Sequence, residues 1–288
     1  MSLLSTAARA LPRSGIRVVM DEAWALEAEL RSRTAGAKNS RTFDRVIHLE
    51  VGQPDFESPA AAVSAASHTL AKGGSATKYC PNAGTSELRH AVADYYQNTL
   101  NTVCRVTCQT TEQNIVVSTG SMFALSTAFM CALEPGSGEE CLIPDPGFPN
   151  YAMAIQMLGC RPVRYPMLSS DGWLPTADAI ANRITAGRTK LLLLNSPSNP
   201  TGRVMPLELM QSIVDVAREN DVAVLSDEVG KVPLKPCDWR FHPADPLFHL
   251  LCLSIDLWGH IFRCQLQQQQ QQCVAGGGTC TEHFALRS

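Results

Sequence analysis

The chain has 288 residues, of which 45% are hydrophobic and 18% are charged, a composition typical of a folded globular protein. Its formal net charge of -3 at pH 7 excludes the strongly basic surface of proteins that bind nucleic acid or anionic membranes. The longest apolar runs, such as Leu191–Leu194, are much shorter than the roughly 20 residues of a membrane-spanning helix. We therefore expect a soluble protein that binds neither nucleic acid nor membrane.

The eleven cysteines form no recognisable disulfide framework, because their number is odd and no Cys-x-x-Cys occurs. This favours a reducing compartment, and we expect a cytoplasmic protein. Arg9, Arg13 and Arg17 precede the first acidic residue, Asp21, a pattern typical of a transit peptide, so a mitochondrial or plastid location is the alternative. The histidines and cysteines after residue 236 match no compact zinc-ligand spacing, so no metal site is predicted.

The first predicted elements are a helix, a short strand with the loop that follows it, and a second helix. Charged and apolar residues predict an amphipathic helix over Asp21–Arg31, and Leu49 starts a short strand that runs into a loop containing Gly52. Glycine lets a backbone approach a ligand closely, so Gly52 is a candidate substrate contact, with a plain turn as the alternative. Ser58 is a suitable cap for a helix that ends near Ala71, before two glycines.

The next predicted helix buries Leu88, Val92 and Tyr95 on one face. A turn from a strand into another helix follows it. Residues 114–119 alternate as in a strand, and the next residues, Gly120, Ser121 and Met122, start a helix that runs to about residue 133. A glycine at such a junction lets phosphate oxygens reach free backbone N–H groups, and the helix dipole favours the negative charge. A simple cap by Ser121 is the alternative, but the crossover position favours phosphate binding.

Cys141 starts a predicted strand, and a loop rich in proline follows it and contains Phe148. By itself, Phe148 is best interpreted as a core residue beside prolines. Arg161–Tyr165 predicts a further strand and Thr176–Ala186 a helix, and neither carries recognisable chemistry.

The most informative stretch is one βαβ unit. An apolar strand at Leu191–Leu194 leads into the loop Asn195–Gly202, then a helix, then a strand that ends in Ser-Asp-Glu at Asp227. Polar groups therefore follow both strands at their carboxyl ends, where open α/β sheets bind ligands. A turn or a helix cap is the alternative role for Asp227.

Together these motifs resemble the class I/II aminotransferases, fold type I enzymes that use pyridoxal 5′-phosphate (PLP). The resemblance covers about residues 11–229 and rests on six motifs. In chain order these are Gly-Gln-Pro-Asp-Phe at Gly52, Tyr-x4-Gly-x3-Leu-Arg from Tyr79 and the glycine turn at Gly120. They continue with Pro-Gly-Phe-Pro-Asn-Tyr around Phe148, Asn-Pro-Thr-Gly from Asn199 and Ser-Asp-Glu around Asp227. It implies an α/β fold: an incomplete three-layer PLP-transferase large domain, with a mainly parallel sheet and helices on both faces.

The resemblance also implies how the phosphate and the substrate would be held. Gly120, Ser121 and Met122 would form the phosphate cradle. The hydroxyl of Tyr79 would reach a phosphate across a dimer interface, and Gly52 would lie against the substrate carboxylate.

Three further residues would contact the PLP ring, as the resemblance implies. Phe148 would stack on the pyridine ring, and Asn199 would donate a hydrogen bond to its phenolic oxygen. Asp227 would keep the ring nitrogen protonated, which lets the ring accept negative charge from the substrate.

The implied activity is amino-group transfer between an amino acid and a 2-oxo acid. The family's Ser-x-Ser-Lys, which carries the Schiff-base lysine, does not occur in this sequence, and Gly230 stands where the family has a tyrosine. Lys231 and Lys235 follow Asp227 but lie beside prolines in a different context. The catalytic residue is therefore unknown, and we predict little or no turnover. The alternative is a non-catalytic PLP-binding fragment that forms a homodimer or pairs with a full-length subunit.

The resemblance, together with a shift of composition at Gly230, divides the chain into three regions. Residues 1–50 are an N-terminal arm and helix, residues 51–229 the incomplete large domain, and residues 230–288 a non-homologous tail. The tail contains six consecutive glutamines, Gln267–Gln272, and no sustained helix or strand period, so we expect it to be disordered.

Overall fold

The computed structural model describes residues 5–12, 14–34, 46–50, 52, 57–104, 110–229 and 250–252. The chain forms two compact units, Met1–Tyr79 and Cys80–Ser288. Among the helices described, none has the length and apolar character that crossing a membrane requires.

The described part of the first unit is helical. It contains α1 (Thr6–Ala10), α2 (Gly15–Thr34) and α3 (Ala60–Lys72). Helix α2 extends the predicted helix at both ends, because the flanking residues are also compatible with helix. Gly73 ends α3 at a φ of +63°, as the sequence indicated, since glycine adopts positive φ without a steric penalty.

Two predictions for the first unit were wrong. The N-cap of α3 is Pro59, with no side-chain hydrogen bond, and not Ser58. The second error concerns Leu49, because described residues 46–50 belong to no strand. A strand requires a neighbouring backbone to complete its hydrogen bonds, and local residue preferences do not supply one.

In its described residues, the second unit has helices on a five-stranded sheet. The helices are α4 (Ser86–Cys104), α5 (Ser121–Ala132), α6 (Asn150–Met157), α7 (Ala177–Ala181) and α8 (Leu207–Glu219). The strands are β1 (Glu140–Asp145), β2 (Arg161–Pro166), β3 (Thr189–Asn195), β4 (Ala223–Asp227) and β5 (Leu250–Cys252). All neighbours pair in parallel, in the order β2-β1-β3-β4-β5, which confirms the predicted parallel α/β fold.

The sheet is buried on both faces because the side chains of its central strand alternate between two cores. On β3, Leu191 and Leu193 pack with Phe129 of α5 and Ile155 of α6. The intervening residues Leu192 and Leu194 pack on the other face with side chains of α7 and α8, including Ile180 and Ile213. Burial of each such side chain contributes roughly 1.5–3 kcal/mol to stability. This explains the uninterrupted apolar run, which is typical of central parallel strands.

A buried acid lies at the amino end of the sheet. Glu140, the first residue of β1, is almost fully buried and accepts a hydrogen bond of 3.1 Å from Thr189 Oγ1. Arg161 and Arg188 place guanidinium nitrogens 3.4 and 3.7 Å from its carboxylate. The two arginines compensate the cost of burying this charge.

The predicted strand at residues 114–119 was wrong. Glu112–Asn114 forms a 3-10 turn, and Ile115 is extended and buried against Val92, Ala93 and Tyr96. In the described part of the chain this segment pairs with no strand; instead, the N–H of Val117 donates to the carbonyl of Ala83 at 3.0 Å. The backbone conformation was predictable, whereas the pairing depends on distant residues.

The predicted buried stripe of α4 is confirmed at Val92 and wrong at Leu88 and Tyr95, which are exposed, while Ala93 and Tyr96 are buried. The stripe is rotated by about one residue because α4 packs against Ile115.

The helix predicted over Thr176–Ala186 is much shorter. Thr176 caps α7 as its side chain accepts from the N–H of Ala179 at 3.1 Å, but the helix ends at Ala181. Asn182 follows, and Ile184 and Thr185 after it are poor helix formers.

In the tail, the structure describes Leu250–Cys252, which pairs with β4 as strand β5. The prediction of no regular structure after residue 230 therefore does not hold for these three residues. Lys231, Lys235 and the glutamine run Gln267–Gln272 lie outside the described residues.

Gly84→Ala is expected to destabilise the second unit strongly. Gly84 has a φ of +94°, and a Cβ there would lie 2.8 Å from Val117 Cβ. Backbone strain costs about 1–2 kcal/mol, and the overlap adds about 1–3 kcal/mol. Gly136→Ala is the matched control, because Gly136 has a φ of +77° but nothing within 4 Å of an added Cβ. Denaturant unfolding should show the larger loss for Gly84→Ala; equal losses would contradict the close approach to Val117.

Candidate active site

Asp227 is the last residue of β4 and is only 4% exposed at the carboxyl edge of the sheet. The hydroxyl of Tyr151, on α6, donates to Asp227 Oδ2 at 2.6 Å. The backbone N–H of Val229 donates to Asp227 Oδ1 at 3.1 Å. Both carboxylate oxygens are therefore held, and the orientation of the carboxylate is fixed.

Opposing effects act on the ionisation of Asp227. Burial raises the pKa of the carboxyl, and the neighbouring charge of Glu228 raises it further. The hydrogen bonds from Tyr151 and Val229 lower the pKa, and the net shift is upward. The pKa of the Tyr151 hydroxyl is also raised, first by burial and then by the charge of Asp227. Tyr151 therefore stays protonated and acts as a donor.

Asn195 connects the Asn-Pro-Thr-Gly loop to Asp227. It ends β3 directly opposite Asp227 in the parallel register, and its Nδ2 donates to the carbonyl of Asp227 at 3.0 Å. Its Oδ1 accepts the backbone N–H of Asn199 at 2.6 Å. Two hydrogen bonds through one side chain thus fix the loop relative to β4. The side chain of Asn199 itself is exposed at this edge.

Phe148 lies in the loop between β1 and α6. Its ring is half-buried against the core that α5 and α6 form with the sheet, and it meets the Tyr151 ring edge-on at 5.5 Å. Gly147 allows this turn, because a Cβ there would lie 2.5 Å from the carbonyl oxygen of Pro144. Tyr151 therefore contacts both Phe148 and Asp227.

Gly120 forms the N-cap of α5, a helix of 12 residues, with a φ of +92°. No side-chain hydrogen bond caps this helix. The alternative role of Ser121 as a helix cap is therefore wrong. Among the described residues, a Cβ at Gly120 would meet nothing within 4 Å, so the space beside this glycine is open. Met122 packs on the same core as Phe148. An open glycine at a helix N-terminus is suited to bind a phosphate group.

These residues fit the needs of PLP. Gly120 leaves room for a phosphate, Phe148 offers an aromatic face, and Asp227 provides an oriented carboxylate. Asn199 offers an exposed amide at the same edge as Asp227.

Gly52 and Tyr79 belong to the first unit, and both are exposed there. Their proposed contacts with a substrate carboxylate and a phosphate stay predictions. Within the described ranges no group of three or more potential metal-ligating side chains occurs.

Two site residues were missed in the sequence. Tyr151 ends the Pro-Gly-Phe-Pro-Asn-Tyr motif, but it lies 76 positions from Asp227, and no local pattern pairs them. Asn195 was recognisable as a polar residue that ends an apolar strand. Its contact with Asp227 follows from the parallel register of the two strands.

Asp227→Asn is expected to remove a pH-dependent part of the free energy of unfolding. Because the pKa is raised on folding, the folded chain retains a proton that the unfolded chain has already lost at the same pH. Wild-type stability attributable to this group therefore falls as pH rises above the unfolded value of about 3.9. Urea unfolding across the acidic to neutral range should show this fall relative to Asp227→Asn.

The control is Asp178→Asn, which changes an exposed acid on α7. A difference between wild type and Asp227→Asn that does not vary with pH would contradict the upward shift of the Asp227 pKa.

A family model described as aminotransferase class I and II matches residues 44–229, a region that includes every contact of Asp227 described above. The chain is 35% identical over 186 residues to an aspartate aminotransferase of Pyrococcus horikoshii, covering 65% of this chain and 45% of that protein. It is 34% identical over 184 residues to a probable aspartate/prephenate aminotransferase of Thermus aquaticus, covering 64% of this chain and 45% of the relative. The chain thus spans less than half the length of these relatives.

Solved structures agree. An aspartate aminotransferase from Thermus thermophilus with maleate matches with a TM-score of 0.69 and 28% identity, covering 90% of this chain and 62% of that one. An alanine aminotransferase from Pyrococcus furiosus matches with a TM-score of 0.66 and 29% identity, covering 78% of this chain and 52% of the other. The family match over more than half of the chain and the oriented acid at the sheet edge lead to one conclusion: this chain belongs to the class I and II aminotransferase family.

Proposed function

We propose that this chain binds PLP at the carboxyl edge of its sheet and supplies the cofactor-binding part of an aminotransferase site. The observation that carries the proposal is the buried Asp227 carboxylate, which two donors orient at the edge where β3 and β4 end. A buried acid without a cationic partner among the described residues is suited to receive a protonated ring nitrogen.

Each residue has one task in this proposal. The first N–H groups of α5, at Gly120, Ser121 and Met122, bind the phosphate oxygens. Phe148 covers one face of the ring, and Asn199 donates to the phenolic oxygen. When bound, PLP supplies an electron sink for chemistry at the α-carbon of an amino acid.

Asp227 has the electronic task. As an anion it holds a proton on the pyridine nitrogen, which keeps the ring able to accept charge. Its burial excludes water from this contact and so strengthens the electrostatic interaction.

The substrate class we propose is an amino acid and a 2-oxo acid, and Gly52 lies against the substrate carboxylate. The names of the relatives, which include aspartate and prephenate, support an amino-acid substrate without choosing one. We also propose that the chain acts in a pair, as a homodimer or with a full-length subunit, in which Tyr79 reaches the phosphate across the interface. We propose a cytoplasmic location, with mitochondria or plastids as the alternative.

We further propose that this chain alone does not turn over. None of its lysines stands in a Ser-x-Ser-Lys context, so binding of PLP is reversible and forms no covalent bond. The chain is then a non-catalytic PLP-binding or dimer-pairing fragment of an aminotransferase. The second candidate function is catalysis by this chain itself, in which Lys231 or Lys235 acts as the missing lysine.

Titration with PLP, followed by absorbance, tests binding. The wild-type chain should saturate, and Asp227→Ala should bind about tenfold or more weakly, because a hydrogen bond to a charged group contributes about 1.5–3 kcal/mol. Asn199→Ala should also weaken binding, whereas Asp178→Ala, an exposed acid on α7, should not. Equal affinity of wild type and Asp227→Ala would reject the proposed site.

Borohydride reduction followed by mass spectrometry separates the two candidate functions. We expect no lysine of the wild-type chain to carry a stoichiometric, site-selective PLP adduct above the scattered labelling that the aldehyde gives on any accessible lysine. An adduct that disappears in Lys231→Ala or in Lys235→Ala would overturn the non-catalytic proposal and would identify the substitute lysine. Addition of an amino acid and a 2-oxo acid should produce no transfer in the absence of such an adduct.

A further inference from the structure

We propose that Tyr151 is a positioning residue that fixes the Asp227 carboxylate in its charged form and couples its position to that of Phe148. This inference rests on the proposed PLP site. It assigns a task to a residue that touches neither the substrate nor the phosphate in that proposal.

The geometry gives Tyr151 two contacts within one rigid side chain. Its hydroxyl lies 2.6 Å from Asp227 Oδ2, a short distance typical of a strong hydrogen bond to a carboxylate. Its ring meets the ring of Phe148 at 5.5 Å with an interplanar angle of 78°. Tyr151 is only 1% exposed and packs in the core of α5 and α6, so its rotamer is fixed.

The electrostatics give the hydroxyl a specific effect. Three groups among the described residues act on the ionisation of Asp227: the hydroxyl of Tyr151 on α6, the N–H of Val229 and the neighbouring acid Glu228. The hydroxyl of Tyr165 on β2 acts on the ionisation of Tyr151. Burial and Glu228 oppose the charged form of Asp227, while Tyr151 and Val229 favour it. The Val229 contact is made by the backbone, so among the residues that the structure describes Tyr151 is the side chain that stabilises the charge.

Tyr165 is a matched control within the same sheet. It is equally buried at 1% exposure, and its hydroxyl also makes a single short hydrogen bond, to the carbonyl of Leu193 at 2.9 Å. It packs in the core on the opposite face, with α7 and α8. Tyr165→Phe therefore removes a buried hydroxyl that makes no hydrogen bond to Asp227, and it serves as the control for the structural cost of such a loss.

The first experiment uses the chain without PLP. Carbon-13 NMR of labelled aspartates follows the titration of Asp227, whose signal is assigned by its loss in Asp227→Asn. We expect the midpoint to move to higher pH in Tyr151→Phe, because the hydrogen bond that lowers the pKa is lost. Tyr165→Phe should leave it unchanged. An unchanged midpoint in Tyr151→Phe would overturn the proposal.

The second experiment measures PLP affinity against pH. We expect Tyr151→Phe to bind about tenfold more weakly than wild type at neutral pH, as expected for loss of a hydrogen bond to a charged group. The ratio of the two affinities should be largest in the pH range in which Asp227 titrates and should shrink above it, because the carboxylate is then charged in both chains. A merely structural role predicts a constant ratio, equal to that of Tyr165→Phe.

The two proposals fail in different ways. If the wild-type chain binds no PLP, the proposed function fails, while the NMR titration still decides the effect of Tyr151 on Asp227. Should Tyr151→Phe not fold, site-specific replacement of Tyr151 by 3-fluorotyrosine retains the ring and provides a stronger donor. The Asp227 midpoint should then move to lower pH, and a midpoint that stays in place would overturn the proposal.

Discussion

The parallel pairing of β3 with β4 is the constraint on which the candidate site depends. It sets Asn195 opposite Asp227, so that one amide side chain joins the carbonyl of β4 to the backbone of Asn199. The same pairing is stable because the side chains of β3 alternate between two apolar cores. A one-residue slip would exchange the faces of every leucine and separate Asn195 from Asp227. Core packing and site geometry are therefore determined by one register.

A second dependence connects the site to the helices. Tyr151 is a core residue by its burial and a site residue by its hydroxyl, and the edge contact with Phe148 extends its influence to the loop after β1. A change in how α6 packs would therefore be felt at the carboxylate. In energetic terms, the site depends on the tight packing of the interior, which transmits small displacements instead of absorbing them.

Sequence reasoning succeeded where the signal is local and failed where it is not. The apolar run at Leu191–Leu194, the polar residues that follow it and the terminal Asp227 predicted a βαβ unit and the edge at which the carboxylate lies, because buried parallel strands and their polar ends are readable within a few positions. The rest of the fold was implied by the family resemblance. The segment around Ile115 has strand-like residues, yet its pairing depends on distant residues. The contact of Tyr151 with Asp227 joins residues far apart in sequence, and it could be found only in the folded chain.

The two ends of the sheet treat a buried acid differently. At the amino end, Glu140 is compensated by Arg161 and Arg188, whereas in the described part of the chain Asp227 at the carboxyl end has only uncharged donors. The charge of Asp227 is thus a standing cost to the folded state, which a ligand with a cationic ring would remove. Folding and ligand occupancy are then thermodynamically linked. A chain that holds such a ligand would therefore unfold less readily than the same chain with an empty site.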